Sequence, residues 1–175
     1  KGEHAKAIEA LTKAKELEPE STVTITTLGE AYAMSGDTDS AMAQWEEVLQ
    51  ANPDDLFATY NLGLAYLEKN QVDKAVEMWE KCKTLNPAYL PARQNLATLA
   101  VNAGNFDKAI DEWTAISLMD PANPQPQMVL GDLYYRSGKM AESRQITEEL
   151  LDKLAQVEPK DKDSRKLRSD TEFLY

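Results

Sequence analysis

Side chains able to do chemistry are few in this chain of 175 residues, and they are poorly grouped. Asp37 with Asp39, and Asp54 with Asp55, are the carboxylate pairs in loop-like stretches that would suggest a cation site. Both pairs precede an expected helix start, where an acidic side chain accepts from free amides and suits the helix dipole, so capping is the expected role. The one cysteine, Cys82, can form no internal disulfide, and the one histidine, His4, cannot build a His-based metal cluster. There is no Gly-rich phosphate loop, no His-Glu-x-x-His and no Cys-x-x-Cys. No catalytic residue, cofactor or metal ion is therefore expected of this segment, and it is read as a non-enzyme.

Charge narrows the partners. The formal net charge is -11, which repels phosphate backbones and anionic membrane surfaces, so neither nucleic acid nor membrane is an expected partner. No apolar run approaches the ~18 residues that membrane insertion requires. The chain starts at Lys1 with neither an initiator Met nor a signal-like stretch, which points to a piece of a longer chain. No compartment is legible.

The elements that position these side chains come from a period. Asn52-Pro53, Asn86-Pro87 and Asp120-Pro121 lie 34 residues apart, and Glu18-Pro19 precedes them by the same interval. Gly36, Gly104 and Gly138 share a column with Asn70. Ala7, Ala41, Ala75 and Ala109 share another, Leu28, Leu62, Leu96 and Leu130 a third, and the three tryptophans, Trp45, Trp79 and Trp113, a fourth. In the same frame Cys82 falls with Val48 and Ile116, the mark of a buried thiol, and His4 falls with Val72, Phe106 and Met140, a packing column. A fixed period shared by several columns is the signature of a repeat array.

Each unit reads as two helices. Ile25, Leu28, Gly29 and Tyr32 make an amphipathic stripe, Ser35-Gly36 ends it, and Asp37 or Thr38 starts a second helix carrying Ala41, Trp45 and Val48. Asn52-Pro53 stops that helix. Neither helix can bury its stripe alone, so pairs must stack on their neighbours.

These residues resemble the tetratricopeptide repeat family. Its pattern is matched by Leu28-Gly29-x-x-Tyr32, Ala41, Trp45 and Pro53, and again by Leu62-Gly63-x-x-Tyr66, Ala75, Trp79 and Pro87. A looser copy has Leu96-Ala97-x-x-Ala100, Ala109, Trp113 and Pro121, and a fourth keeps Leu130-Gly131-x-x-Tyr134 but has Ser143 and Thr147 where Ala and an aromatic are expected. The family's opening aromatic is replaced by Ile25, Thr59, Arg93 and Gln127, and the tryptophans are expected to supply the missing bulk. The resemblance implies an all-α fold, a right-handed superhelical solenoid of antiparallel helix pairs. Its expected divisions are 1–21 (second helix of a truncated repeat), 22–55, 56–89 and 90–123 (full repeats), 124–160 (a divergent repeat with a lengthened second helix) and 161–175 (a terminal capping helix).

The same resemblance implies a concave groove lined by the first helix of each pair, holding an extended peptide or a partner helix. The groove residues would be Phe57, Tyr60, Asn61, Leu64 and Leu67, then Gln94, Asn95, Thr98 and Val101, then Met128, Asp132 and Tyr135. Members that clamp carboxylate tails place Lys or Arg there. This chain offers Glu30 and Asp132, and only Arg136 at the margin, which disfavours such a tail. Residues 22–55 hold seven acids and no base, so a basic partner is the complement. The expected function is a protein–protein interaction scaffold or adaptor. The alternatives are a structural subunit of a homo-oligomeric or large multiprotein assembly, and the targeting arm of a larger enzyme.

Overall fold

The computed structural model describes residues 2–156, which form α1 (Gly2–Leu17), α2 (Thr22–Ser35), α3 (Thr38–Ala51), α4 (Leu56–Glu68), α5 (Val72–Leu85), α6 (Leu90–Asn102), α7 (Phe106–Met119), α8 (Gln125–Arg136) and α9 (Met140–Gln156). No strand occurs among the described residues. The fold is the all-α arrangement of helix pairs expected from the sequence. The expected capping helix at 161–175 lies outside the described residues. Two compact units divide the chain, Lys1–Ala92 and Arg93–Tyr175.

The turn within a pair is built the same way four times. Gly36, Asn70, Gly104 and Gly138 all have positive φ, the left-handed conformation that glycine and asparagine adopt at least cost. The following amide reaches back to the helix it leaves: Asp37 to the Tyr32 carbonyl at 2.9 Å, Gln71 to Tyr66 at 2.8 Å, Asn105 to Ala100 at 2.8 Å and Lys139 to Tyr134 at 2.9 Å. The loop carboxylates and amides then start the next helices. Asp37 accepts from the Ser40 amide at 3.1 Å, Asp55 from Ala58 at 2.9 Å and Asn105 from Lys108 at 3.1 Å. Asp39 is bound to Lys69 at 2.5 Å.

In the first unit the core gathers Ile25, Ala41, Trp45, Val48, Ala58, Leu62 and Ala65. The tryptophans there pack closely against the partner helix. Trp45 Nε1 donates to the Thr26 carbonyl at 3.3 Å, and Trp79 Nε1 donates to the Tyr60 carbonyl at 3.3 Å. Glycine permits the approach: a Cβ on Gly29 would lie 2.5 Å from the Trp45 nitrogen, and one on Gly63 would meet Trp79 as closely. Trp79 is fully buried and Trp45 nearly so, and Ile25 packs in the Trp45 cluster, as expected if the indole replaces the missing aromatic.

The second unit centres on Ala100, Ala109, Ile110, Leu130 and Leu133, drawn from α6, α7 and α8. Trp113 packs against this cluster as its column predicts, but it is less completely buried than Trp45 and Trp79. In the position of Gly29 and Gly63 this repeat has the fully buried Ala97, whose methyl occupies space that the glycines leave open. The adjoining position holds an ion pair instead of apolar bulk: Arg93 Nη1 lies 2.7 Å from Glu112 Oε2, with the side chains 14% and 6% exposed. In the α8–α9 pair, Ser143 stands in the alanine column and Thr147 in the tryptophan column. Ser143 Oγ donates to the Gly131 carbonyl at 2.9 Å and Thr147 Oγ1 to the Ser143 carbonyl at 2.8 Å.

Candidate partner-binding groove

In the first unit α2 and α4 pack side by side and present equivalent stripes. Val23, Thr27, Glu30 and Met34 fall at i, i+4, i+7 and i+11 on α2, and Phe57, Asn61, Leu64 and Glu68 repeat that spacing on α4. Two hollows lie along these stripes. One, of about 220 Å³, has Val23, Thr26, Asp55 and Phe57 among its walls. The other, of about 330 Å³, is walled by Ala33, Met34, Asn61, Leu64 and Glu68 among others. Glu30 borders both. The apolar side chains are open to solvent: Val23 is 75% exposed, Met34 70%, Phe57 62% and Leu64 40%.

The α4 candidates therefore divide. Asn61 and Leu64 share the larger hollow, Phe57 walls the smaller, and Leu67 is exposed beside them without lining either. Tyr60 is turned inward: its ring lies 6.4 Å from Trp79 and meets Tyr89 edge-on at 5.3 Å, so it braces the repeat. Among the lining residues that the sequence reading did not single out are Met34 and Glu68. Each extends its stripe by one turn, from Glu30 and from Leu64, and that continuation was the available signal.

The remaining candidates lie in the second unit. Gln94 and Thr98 are exposed on α6, and the Thr98 hydroxyl donates to the Gln94 carbonyl at 2.8 Å. Asn95 and Val101 are half-buried, Val101 against the Ala100–Leu133 cluster. On α8, Met128 and Asp132 are half-buried, and Asp132 faces Arg136 at 3.5 Å. That guanidinium also covers the Phe106 ring at 5.1 Å. Tyr135, 58% exposed, walls a hollow of about 510 Å³ with Met140 and Arg144.

Titratable groups here serve structure. Hydrogen bonds from the Ser40 side chain and amide hold Asp37 below the usual carboxylate range. Burial pushes the Cys82 thiol up to about 11, and its sulfur faces the Leu56 carbonyl at 3.8 Å. Burial, reinforced by Glu46 and Glu77, raises the Tyr66 phenol. Among the described residues no group of His, Cys, Asp and Glu is placed to hold a metal ion, and no helix is long and apolar enough to cross a membrane.

Paired helices at a fixed period, with open apolar stripes and no grouped chemistry, define a helical-repeat scaffold. The profile of the tetratricopeptide repeat matches residues 26–81 and 95–158, more than half of the chain, and the chain belongs to that family. Its repeats are typically non-catalytic protein-interaction modules. Among solved structures the chain is similar to a crystal structure of MamA, with TM-score 0.72 and 22% identity over 89% of this chain and 91% of that one. It is similar also to MamA AMB-1 (TM-score 0.67, 24% identity, 85% and 81% covered). A third is a tetratricopeptide repeat protein from Parabacteroides merdae ATCC 43184 (TM-score 0.71, 20% identity, 99% and 67% covered). At these identities the likeness speaks to the fold. No curated protein matches the sequence significantly.

Proposed function

We propose that this chain is a non-catalytic scaffold or adaptor that holds a segment of another protein against the first helices of its repeats. The observation that carries this reading is the α2–α4 face, where Val23, Met34, Phe57 and Leu64 stand open to solvent around two hollows. Apolar side chains grouped around a depression mark an interaction surface. Leu64→Asp combined with Leu67→Asp tests it, because both side chains are more than a third exposed and their loss leaves the core intact. Affinity purification followed by mass spectrometry should show partners retained by the wild type and lost by the variant, with unchanged thermal unfolding. Partners retained in full, or a variant that unfolds globally, would count against the groove.

A second reading, a subunit of a homo-oligomeric assembly, draws on Leu17 in α1 and Leu118 in α7, which are 84% and 75% exposed on helices outside that face. Native mass spectrometry of the purified chain separates the two readings. A monomer at micromolar concentration fits the adaptor, and a concentration-dependent series of multimers fits the subunit.

A further inference from the structure

The groove between α2 and α4 is asymmetric in charge, and this points to the chemistry of its occupant. Neither hollow has a Lys or Arg in its lining, while Glu30 and Glu68 wall the larger one and Glu30 and Asp55 the smaller. Most acids of the surrounding repeat are engaged within the fold. Asp37 and Asp55 cap helices, Asp39 binds Lys69, Glu47 binds Lys15, and Glu68 accepts from the Thr38 hydroxyl at 2.9 Å. Glu30 is exposed, its carboxylate has no hydrogen bond or ion pair among the described residues, and it borders both hollows. A carboxylate flanked by apolar depressions is the complement of a cation flanked by apolar side chains.

Length sets the register. From Val23 to Met34 is 11 residues of helix, about 16 Å at a rise of ~1.5 Å per residue. From its first to its fifth residue an extended chain spans about 13 Å at ~3.3 Å per residue, within the length of that face, and its first, third and fifth side chains face the same way. Asn61 favours an extended occupant over a helical one. Its half-buried carboxamide has no hydrogen bond among the described residues and borders the larger hollow. Only an extended backbone has free amides and carbonyls to offer it, since a helix satisfies its own. Resting on the groove reading above, we infer that the α2–α4 face binds an extended protein segment of the pattern apolar-x-Lys/Arg-x-apolar. The cation meets Glu30, and the flanking side chains fill the hollows at Val23–Phe57 and at Met34–Leu64.

The test uses a phage-displayed library of random 12-residue peptides selected on the whole chain, with affinities of enriched peptides measured by fluorescence anisotropy. The expected peptides carry the apolar-x-Lys/Arg-x-apolar pattern, and bind Glu30→Lys at least tenfold more weakly than wild type. They should bind Glu46→Lys, an exposed charge reversal on α3 away from the groove, within twofold of wild type. Circular dichroism verifies that all variants melt as the wild type does. Enriched peptides that are acidic or lack the cation, yet lose binding to Leu64→Asp, overturn the inference and leave the groove reading standing. Peptides indifferent to both Glu30→Lys and Leu64→Asp overturn both, and a library that yields no enriched sequence overturns the inference.

Discussion

The indole of Trp79 lies against the backbone of Gly63, close enough that a single methyl on that glycine would collide with the ring nitrogen. The same ring donates its N–H to the carbonyl of Tyr60, one turn earlier on the same helix. Trp45 and Gly29 repeat the relationship. The Leu-Gly signature of these two repeats is thus one half of a contact whose other half lies 16 residues further on.

Gly63→Ala should destabilise the fold by about 1–3 kcal/mol, the usual cost of forcing extra volume into a packed site, even though alanine is the better helix former. Gly131→Ala should instead stabilise by up to about 1 kcal/mol, because a Cβ there meets Thr147 Oγ1 at an ordinary 3.4 Å and alanine favours the helix. Urea unfolding of the two variants beside the wild type decides this, and equal effects would refute the indole explanation. On the same grounds Trp79→Ala should cost roughly 3–5 kcal/mol and Trp113→Ala distinctly less.

Arg93 and Glu112 form a nearly buried ion pair in the columns where the preceding repeat has Thr59 and Met78. Glu112→Met alone removes the carboxylate bonded to the guanidinium and should cost about 1.5–3 kcal/mol, the usual worth of a hydrogen bond to a charged group. Arg93→Thr with Glu112→Met together restores the chemistry of the earlier repeat and should recover most of that loss. A double-mutant cycle measured by chemical denaturation gives the coupling directly.

Cys82 is inaccessible, with its thiol pushed up to about 11 by burial from an ordinary value of 9.0. At neutral pH it should resist thiol-reactive dyes until the chain is unfolded, and labelling should follow the unfolding curve. The sign of the linkage is fixed. The folded state holds the proton more tightly, so the thiol's contribution is fully present below pH 9 and is lost as pH rises toward 11. Cys82→Ala should flatten the alkaline loss of stability between those values.

Asp55 ends the loop before α4 and accepts from the Ala58 amide at 2.9 Å. Asp55→Ala should cost about 1 kcal/mol, and Asp55→Asn much less, since the amide oxygen still caps the helix. Thermal unfolding of both variants checks it.

The repeat frame was legible because backbone demands recur with the period. Gly36, Gly104 and Gly138 are needed for positive φ, and Asn70 meets the same demand with the one other residue type that does so readily. The capping role of Asp37 and Asp55 followed from the preference of helix starts for short acceptors. The looser burial of Trp113 did not follow from its column, because a column gives a residue's position in the repeat and not how completely its neighbours cover it. Tyr60 shares an apolar stripe with Phe57 and Leu64, and only its meeting with Trp79 and Tyr89 shows that it braces the fold. Glu30 was visible in a groove column, but its lack of a partner is a fact of three dimensions.

The uneven seating of the tryptophans gives the protein an internal optical address. Trp45 and Trp79, shielded from solvent, belong to the unit ending at Ala92, and Trp113, partly exposed, belongs to the other. A dissolved quencher will reach the third indole first, and its emission will be the redder. Following the quenchable and the protected light through one denaturant titration will therefore reveal whether the two units melt in concert or in sequence, without any added dye.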